Sequence, residues 1–398
     1  MHKWVNMIVV NEKNKCCGCG ACFNICPQKA ITMRRDEKGF EYPFVDMSKC
    51  IDCHLCENVC DFSNRHNVGN EIRESYALQH KSNEVIKSSS SGGAFTAFSD
   101  LILERGGVVY GAAFSESDFW VVHQRAVNKD ERDVFRESKY VQSSTANVYT
   151  SIKNDLKEGK WVLFSGMPCQ CSGLISFLHG HPSKLLIVEL LCHGAPSNKI
   201  LIEHVHFWEN KKNKKAVEYH FRSKKYGYEH NHVIKFSDGS INSSIDLKRI
   251  LKLYTLTMRP SCFDCPYASR LRYGDVTIGD LWNVGEVAGI YDHKGFSTLF
   301  INTDLGAEFF KNVSETCFVK PIHLIYDDIW ALSRPVSMPE HYSSFWNSYF
   351  KYGYAFVLKK FASRSMKSKI YQSLLRVLFF VKLDSFYIRI KSYLKRAG

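Results

Sequence analysis

Residues 16–27 read CCGCGACFNICP, and residues 50–60 read CIDCHLCENVC. Each stretch contains four cysteines with the spacing C-x2-C-x2-C-x3-C, and the second stretch begins 34 residues after the first. Three thiols at two-residue intervals wrap one corner of an iron–sulfur cube, and the fourth thiol starts a short helix that reaches a second cube. The pattern therefore predicts a two-cluster [4Fe–4S] ferredoxin domain over residues 1–62.

The fourth cysteine of each run is expected to bind the cluster of the other run. Zinc is the alternative metal, but zinc sites use four ligands in two pairs, which two interlocked groups of four fit poorly. Cys17 is left over, and we interpret it as a packed thiol that binds no metal. One predicted ligand set is Cys16, Cys19, Cys22 and Cys60, and the other is Cys50, Cys53, Cys56 and Cys26.

The composition is that of an ordinary globular protein, with 45% hydrophobic and 23% charged residues over 398 positions. At ~150 residues per domain, this length predicts two to three domains. Nine of the 15 cysteines lie within residues 16–60, which is unlike the spread of a secreted disulfide framework. The sequence also lacks a signal-peptide pattern and an apolar run of ~18 residues, so we expect a cytoplasmic protein with reduced cysteines.

Positive charge is concentrated at the carboxyl end of the chain. Residues 351–398 carry 12 Lys and Arg against one acidic residue, so they account for most of the net charge of +13. The rest of the chain is nearly neutral, and nucleic acid is therefore not an expected partner. Residues 341–398 are predicted to form a basic helical segment, which either contacts an anionic membrane surface peripherally or packs on its own domain.

Residues 63–75 are polar and are predicted to be a linker, whereas residues 76–340 alternate between strand and helix patterns. The alternation predicts a mixed α/β domain with its chemistry at the ends of the strands. Predicted strands cover residues 108–114, 120–127, 161–164, 185–191, 275–278 and 298–302, with a hairpin formed by 217–222 and 232–236. Predicted helices cover residues 94–104, 145–157, 196–208 and 246–258, and a further helix ends at residue 178.

A second group of cysteines follows the predicted strands of this domain. Cys169 and Cys192 each come directly after a strand, so neighbouring parallel strands would bring them to one edge of a sheet. Cys262 and Cys265 form a C-x2-C-P half-site. We interpret these four as ligands of a third [4Fe–4S] cluster. Two alternatives remain: Cys171 could replace Cys169, or the four could be two buried thiols beside a zinc half-site.

The run SSSSGG at residues 88–93 precedes the predicted helix at 94–104. Small residues at a helix amino terminus let backbone N–H groups approach an anion, so this loop is a candidate phosphate site. Ordinary helix capping by Ser91 explains the same residues. The chain has no P-loop lysine motif and no G-x-G-x-x-G after a strand, so neither of those nucleotide sites is expected.

Several segments together resemble the beta subunit of coenzyme F420 hydrogenase/dehydrogenase, and more closely its bacterial ferredoxin-fused members. The resemblance runs from Cys16 to Trp282, with the motifs in the order found in the family. Besides the cysteine runs, these motifs are SSSSGGAFTAFSDLILERGGVVYGAAF (88–114), SKYVQS (138–143), VLFSGMPCQCSGL (162–174), ELLCHGAPS (189–197), HFRSKKYGY (220–228) and RPSCFDCPYASRLRYGDVTIGDLW (259–282).

The resemblance implies bound FAD and supports the third cluster. Lys139 and His193 are our candidates for catalytic groups near the flavin ring, where each could supply positive charge or a proton. The alternatives are a surface lysine and a hydrogen-bonded histidine at a strand end. The flavin and its phosphates are expected to face two loops, whose candidate residues are Ser90, Ser91, Gly92, Gly93, Ser165 and Gly166.

The resemblance further implies an iron–sulfur flavoprotein oxidoreductase. Such a protein would pass electrons between a substrate or deazaflavin-like cofactor, FAD and three [4Fe–4S] clusters to an external carrier. The alternative is an electron-relay subunit without its own substrate site, which supports a partner redox enzyme; surface-polysaccharide biosynthesis is one setting for it. A redox sensor is a third hypothesis, which two adjacent clusters disfavour because a sensor needs only one.

Overall fold

The computed structural model describes residue 8 and residues 10–363, except residues 66, 117, 225–230, 283, 291, 293, 327 and 328. The basic tail beyond residue 363 therefore lies outside the described residues. Within the part of the chain that is described, every helix is too short or too polar to cross a bilayer.

The amino-terminal domain is built around a hairpin. Its antiparallel strands are β1 (Ile31–Arg35) and β2 (Glu41–Val45). Gly20 and His54 have left-handed backbone with φ of 80° and 60°, and each directly precedes a short helix that contains a cysteine. The two cysteine runs therefore fold alike, as an internal repeat should. The helices are α1 (Ala21–Ile25), α2 (Leu55–Asn58) and α3 (Asp61–Asn64), with a 3-10 helix at Lys13–Lys15.

A mixed sheet forms the centre of the second domain. The strands of that domain are β3 (Glu74–His80), β4 (Val108–Phe114), β5 (Val121–Ala126), β6 (Val162–Gly166), β7 (Leu185–Leu190), β8 (Ala216–His220), β9 (Val233–Phe236), β10 (Ile241–Asn242), β11 (Val276–Leu281), β12 (Phe296–Ile301) and β13 (Cys317–Pro321). Among the described residues, eight of them form one sheet in the order β13-β3-β12-β11-β7-β6-β4-β5.

The middle of this sheet is parallel and its flanks are antiparallel. Strands β4, β6, β7 and β11 run in one direction, so their carboxyl ends share one edge. Strands β5 and β12 pair antiparallel on either side of this group. The predicted mixed α/β domain is confirmed. The predicted hairpin is also present, since β8 and β9 pair antiparallel in a separate small sheet.

Helices pack on both faces of the central sheet. One face forms a core with α5 (Ala94–Glu104) and α11 (Asp304–Thr316) around Phe98 and Phe309. The other face forms a core that includes Phe164, Leu174 and the ferredoxin residue Val59, so the ferredoxin domain packs directly on the second domain. The helices after the ferredoxin domain are α4 (Asn83–Lys87), α5 (Ala94–Glu104), α6 (Lys129–Asp133), α7 (Val148–Lys157), α8 (Pro168–Leu178), α9 (Asn198–Lys212), α10 (Val284–Ala288), α11 (Asp304–Thr316), α12 (Trp330–Ser333) and α13 (Tyr342–Phe361).

The polar segment at residues 63–75, expected to be a linker, is hydrogen-bonded to the second domain. Asn67 Nδ2 donates to the carbonyl of Ser172 at 2.9 Å and to the hydroxyl of Ser176 at 3.0 Å. Asn70 exchanges two backbone hydrogen bonds with Arg272, at 2.7 and 2.8 Å. Polar side chains and backbone of this segment therefore bind the neighbouring domain.

The helical segment predicted at residues 246–258 is present, but it consists of 3-10 helices. The structure has 3-10 helices at Ile245–Leu253 and Thr255–Thr257, followed by a third at Pro260–Asp264. The backbone carbonyl of Thr257 accepts a hydrogen bond from the Ser197 N–H. This carbonyl therefore points away from the helical segment. Helix α13, the described part of the predicted basic segment, buries Phe345 and Trp346 in a core of its own domain.

Candidate metal centres and the adjoining cavity

Four cysteines of the ferredoxin domain surround one small cavity. Cys26, Cys50, Cys53 and Cys56 line a space of about 20 Å³, which is the grouping predicted from the spacing. The backbone N–H of Ala30 lies 3.3 Å from Cys26 Sγ, and Cys53 is exposed to solvent. We call these four cysteines the outer ferredoxin site.

The other four cysteines of the repeat lie deeper. Burial raises the pKa of the Cys22 thiol, and Cys19, Cys16 and Cys60, together with Cys56 of the outer site, raise it further, so the two groups of cysteines are close neighbours. The Gly18 N–H donates toward Cys16 Sγ at 3.4 Å. We call Cys16, Cys19, Cys22 and Cys60 the inner ferredoxin site.

The second domain brings its own four cysteines to one cavity. Cys169, Cys192, Cys262 and Cys265 line a space of about 50 Å³, and we call them the third site. Strands β6 and β7 are parallel neighbours, which explains why the cysteines that follow them meet at one edge. The alternative ligand Cys171 is instead fully buried inside α8, with its Sγ 3.5 Å from the Gly166 carbonyl.

Cys17 lies between the inner and third sites. Its thiol is within hydrogen-bonding reach of Cys19 on one side and Cys169 on the other. It is buried and lines the third-site cavity. The cysteine that the spacing left unassigned is therefore the contact between two cysteine groups.

The donor set suits iron–sulfur cubes better than single ions. Among the residues that the structure describes, no group of three or more His, Cys, Asp or Glu side chains is arranged to hold one metal ion. In a four-iron cube each thiolate binds a different iron, so the sulfur atoms stand farther apart than the ligands of one zinc. Burial raises the pKa of Cys192 and Cys262 to about 12, so these thiols need a bound metal to lose their protons at neutral pH.

Backbone donors also point at the third site. The Gly194 N–H lies 3.4 Å from Cys192 Sγ, and the Ala195 N–H lies 3.4 Å from Cys262 Sγ. Hydrogen bonds to sulfur are one of the means by which proteins tune iron–sulfur clusters. The residues of all three sites therefore fit the group that the sequence predicts.

A larger cavity of about 300 Å³ lies beside the third site, where the parallel strands end. It shares Met167, Cys192 and Gly194 with the third-site cavity, so the two spaces adjoin. The predicted residues that line the larger cavity are Ser90, Ser91, Gly93, Lys139, Ser165, Gly166 and His193.

Gly92, the remaining predicted cofactor residue, lies behind the cavity wall. Its N–H donates to Ser297 Oγ at 3.0 Å, and a Cβ at this position would stand 2.1 Å from the Leu78 carbonyl oxygen. The structure thus gives Gly92 a packing role. Helix α5 is capped by Gly93, and the Ser91 hydroxyl donates to the Phe296 carbonyl, so the proposed capping by Ser91 is wrong.

Lys139 lines the cavity and is half-buried. Its Nζ donates to the carbonyls of Val134 at 2.8 Å and Arg136 at 2.7 Å. Burial lowers the pKa of Lys139 to about 7, against an opposing effect of Glu137. With this pKa the amine can gain or lose a proton near neutral pH.

His193 lies where the two cavities meet. Its ring packs on Trp330 with 4.9 Å between the ring centroids. In the described part of the chain, the buried Nδ1 has no hydrogen-bond partner. Helix α12, which supplies Trp330, comes from the carboxyl-terminal region where the sequence offered no recognised motif, and it covers the third-site cavity.

Sequence reasoning missed two further residues at the cavity. His123 on β5 places Nε2 2.9 Å from the Ser165 carbonyl, and burial lowers its pKa to about 4, so it is neutral at pH 7. Arg136 reaches the serine loop, with Nη1 donating to Ser88 Oγ at 3.1 Å. The alternation of β5 could have marked His123 as inward-facing, whereas nothing in the local sequence marks Arg136.

The paired ferredoxin sites and the mixed α/β domain define an iron–sulfur electron-transfer protein of the oxidoreductase class. A family model for the carboxyl-terminal part of the beta subunit of coenzyme F420 hydrogenase/dehydrogenase matches residues 159–322. A second model, described as a 4Fe-4S dicluster domain, matches residues 15–64.

Two individual proteins and one solved structure are similar to parts of the chain. The chain is 22% identical over 326 residues to a subunit (designated F) of the F(420)H(2) dehydrogenase of Methanosarcina mazei, covering 77% of this chain and 84% of that protein. It is 33% identical over 52 residues to an uncharacterized ferredoxin of Methanocaldococcus jannaschii, spanning 13% of this chain and 66% of the ferredoxin. A chain of the F420-reducing NiFe hydrogenase complex from Methanosarcina barkeri superimposes with a TM-score of 0.46 at 18% identity, over 73% of this chain and 91% of that chain.

Residues 159–322 therefore match the coenzyme F420 hydrogenase/dehydrogenase beta-subunit family, and the resemblance inferred from the sequence is confirmed.

Proposed function

We propose that the chain is an iron–sulfur flavoprotein oxidoreductase. It would exchange electron pairs with an organic substrate or deazaflavin-like cofactor and single electrons with an external carrier. One observation carries the proposal: the large cavity and the third-site cavity share Met167, Cys192 and Gly194. A ring held in the large cavity would therefore lie against a residue that is also proposed as a cluster ligand.

FAD is the proposed occupant of the large cavity. The volume of about 300 Å³ lies at the lower end of the range of cofactor pockets. The phosphates are assigned to the loop containing Ser90 and Ser91, because the 11-residue helix α5 begins at the end of this loop and Arg136, which pairs with Asp133 at 2.9 Å, lines the same cavity. A flavin bound there would supply the chemistry that joins two-electron to one-electron transfer.

Lys139 and His193 are the proposed catalytic residues. With a pKa of about 7, the Lys139 amine can hold a proton or release it at the working pH of the cavity. His193 is oriented by its packing on Trp330, and it faces the boundary between the two cavities. The loop carbonyls of Val134 and Arg136 keep the lysine in place between turnovers.

The cysteine groups are proposed to form a route from the cavity to the surface. The third site would hold a [4Fe–4S] cluster on Cys169, Cys192, Cys262 and Cys265. Cys17 connects that site with the inner ferredoxin site, and Cys56 of the outer site influences Cys22 of the inner site. The exposed Cys53 marks where an external carrier would approach. In this proposal, residues 1–62 form the ferredoxin domain and residues 76–340 form the domain that holds FAD and the third cluster.

An electron-relay subunit is the second candidate function. The observation in its favour is that the matched family and the Methanosarcina mazei relative are both named as subunits. In that case a partner protein, and not a free organic molecule, would deliver electrons to the group in the large cavity. The two candidates differ in whether the isolated chain accepts electrons from small organic donors.

A pair of cysteine variants tests the proposed route. The full chain, prepared without air, is mixed with small organic donors, and flavin and cluster absorbance are followed by stopped flow. We expect Cys192→Ala to allow flavin reduction and to abolish electron arrival at the ferredoxin clusters. Cys171→Ala, two residues from Cys169 but buried in α8, is the matched control and should transfer normally.

Normal transfer in Cys192→Ala would contradict the proposed route. Flavin that stays oxidised with every small donor, yet is reduced by a partner protein, would favour the relay role. A preparation without bound flavin would contradict the assignment of the large cavity.

A further inference from the structure

Arg259 is a fully buried arginine at the junction of the two domains. Its Nε donates to the Cys16 carbonyl at 2.8 Å, and Nη2 donates to the Glu41 carbonyl at 2.9 Å. Its Nη1 donates to Gln142 Oε1 at 3.0 Å. The second domain thus places one guanidinium inside the ferredoxin domain, against the segment that carries the inner ferredoxin site.

The charge of Arg259 has no carboxylate to balance it. Its acceptors are the neutral oxygens just named and Cys16 Sγ, 3.6 Å from Nη2, and in the described ranges no acidic side chain forms an ion pair with it. Its flat face packs on Tyr42, 4.2 Å from the ring centroid. A buried charge without a partner is strongly unfavourable, so the site requires an anion.

Among the described residues, the other fully buried arginines all have a carboxylate partner, unlike Arg259. Arg132 pairs with Asp100 at 2.7 Å, Arg222 pairs with Asp280, and Arg272 pairs with Glu189 at 2.8 Å. Each of these guanidinium groups has a carboxylate counter-ion. Arg259 has cysteines where the others have an acid.

Thiols of two sites surround the guanidinium. Three thiols act electrostatically on Arg259: Cys16 of the inner site, Cys262 of the third site, and Cys17, which lies between the two sites. The segment after Cys16 is shaped around it, because a Cβ on Gly18 would stand 2.7 Å from Nη1. A [4Fe–4S] core with four thiolates carries net negative charge and becomes more negative by one on reduction.

We propose that Arg259 is the shared counter-ion of the inner ferredoxin cluster and the third cluster, and that it raises the reduction potentials of both. It is a positioning residue that acts through the clusters without taking part in the chemistry at the flavin. The proposal rests on the proposed function for the third cluster, whereas the effect on the inner cluster requires only the ferredoxin domain. Each cluster gains one electron on reduction, and a fixed positive charge nearby favours the more negative form.

The test is a redox titration of the full chain under anaerobic conditions, followed by electron paramagnetic resonance. In Arg259→Gln, which removes the charge and keeps hydrogen-bond donors, we expect the ratio of reduced to oxidised inner cluster at a fixed potential to fall about tenfold, which is about 59 mV for a one-electron couple. Arg259→Lys keeps the charge and should restore most of the shift. The outer cluster is the internal reference, and its signal is identified by its loss in Cys53→Ala.

Lys15→Met is the matched control. Lys15 precedes Cys16 and pairs with Asp264, between Cys262 and Cys265, so it spans the same two segments as Arg259. Its side chain is 60% exposed, and water screens its charge. The potentials of this variant should therefore equal those of the unaltered chain.

Three results would overturn the proposal. These are an unchanged inner-cluster potential in Arg259→Gln, equal shifts in the glutamine and lysine variants, and a shift of the same size in Lys15→Met. If the glutamine variant loses its clusters, the unaltered chain decides, because the inner cluster must then be reduced at a higher potential than the outer cluster. A preparation lacking only the third cluster refutes that part of the proposed function, while the inner-cluster titration still tests Arg259.

Discussion

Substitution of Arg272 should destabilise the third site, because it breaks the buried ion pair between Arg272 and Glu189. Arg272 Nη1 lies 2.8 Å from Glu189 Oε1, and both side chains are fully buried. Arg272 Nη2 donates to the Tyr267 carbonyl at 2.8 Å, two residues beyond Cys265. Glu189 on β7 lies three residues before Cys192 and accepts from the Tyr273 N–H at 2.6 Å. The pair therefore connects two of the three segments that supply ligands to the third site, the one with Cys192 and the one with Cys265.

The size of the effect follows from what each substitution leaves behind. Arg272→Met leaves the Glu189 carboxylate buried without its counter-ion, which should lower the free energy of unfolding by about 3–5 kcal/mol. Glu189→Gln keeps acceptors for the backbone N–H groups of Tyr273 and Gly274 and removes the carboxylate charge, but it leaves the Arg272 guanidinium buried without its counter-ion, so it should cost about as much. The double variant should lose less than the sum of the two single variants, because neither charge then remains unpaired.

The assay is urea unfolding of the full chain without air, followed by circular dichroism, together with iron analysis of the folded protein. Arg272→Met should also lose the third cluster before the ferredoxin clusters as urea rises. A loss below ~1 kcal/mol in Arg272→Met, or strict additivity in the double variant, would refute this reasoning.

Three further predictions concern the large cavity and its wall. Gly92→Ala should lower the free energy of unfolding by about 1–3 kcal/mol in urea, because its Cβ would meet the Leu78 carbonyl; an unchanged midpoint would contradict this. Burial lowers the pKa of His123 to about 4, below the unfolded value of ~6.5, so the unfolded chain binds the extra proton and stability should fall as pH drops from 6.5 to 4. The free energy of unfolding lost through His123 over this pH range should approach ~3 kcal/mol. His123→Gln should therefore reduce the dependence of stability on pH, and an equal dependence in both proteins would contradict this prediction. The pKa of Lys139 is lowered to about 7, so the protein should bind FAD more tightly below pH 7 than above it. Fluorescence titration should show no such pH step in Lys139→Met, and a step that persists would show that this lysine does not cause it.

Much of the cysteine arrangement could be predicted because spacing along the chain dictates it. The crossed set Cys26, Cys50, Cys53 and Cys56 lines one cavity. The meeting of Cys169 with Cys192 followed from two adjacent parallel strands, which the strand patterns already indicated.

The contacts that sequence could not indicate join residues far apart in the chain. Arg259 contacts Cys16, 243 positions away, and a single arginine before a proline carries no signal of that contact. Gly92 looked like part of a phosphate loop, but its small size serves close packing against Leu78. The segment at 246–258 had a helical apolar pattern, which 3-10 and α-helices share over a few turns.

Three iron–sulfur clusters and one flavin are proposed to lie in this single chain. The most direct measurement is the content of iron, acid-labile sulfide and FAD per chain in protein purified and analysed without air. We expect about twelve iron atoms, as many sulfides and one FAD. About eight iron atoms and no flavin would refute the proposed third cluster and the proposed FAD, because the second domain would then hold neither of the groups assigned to its two adjoining cavities.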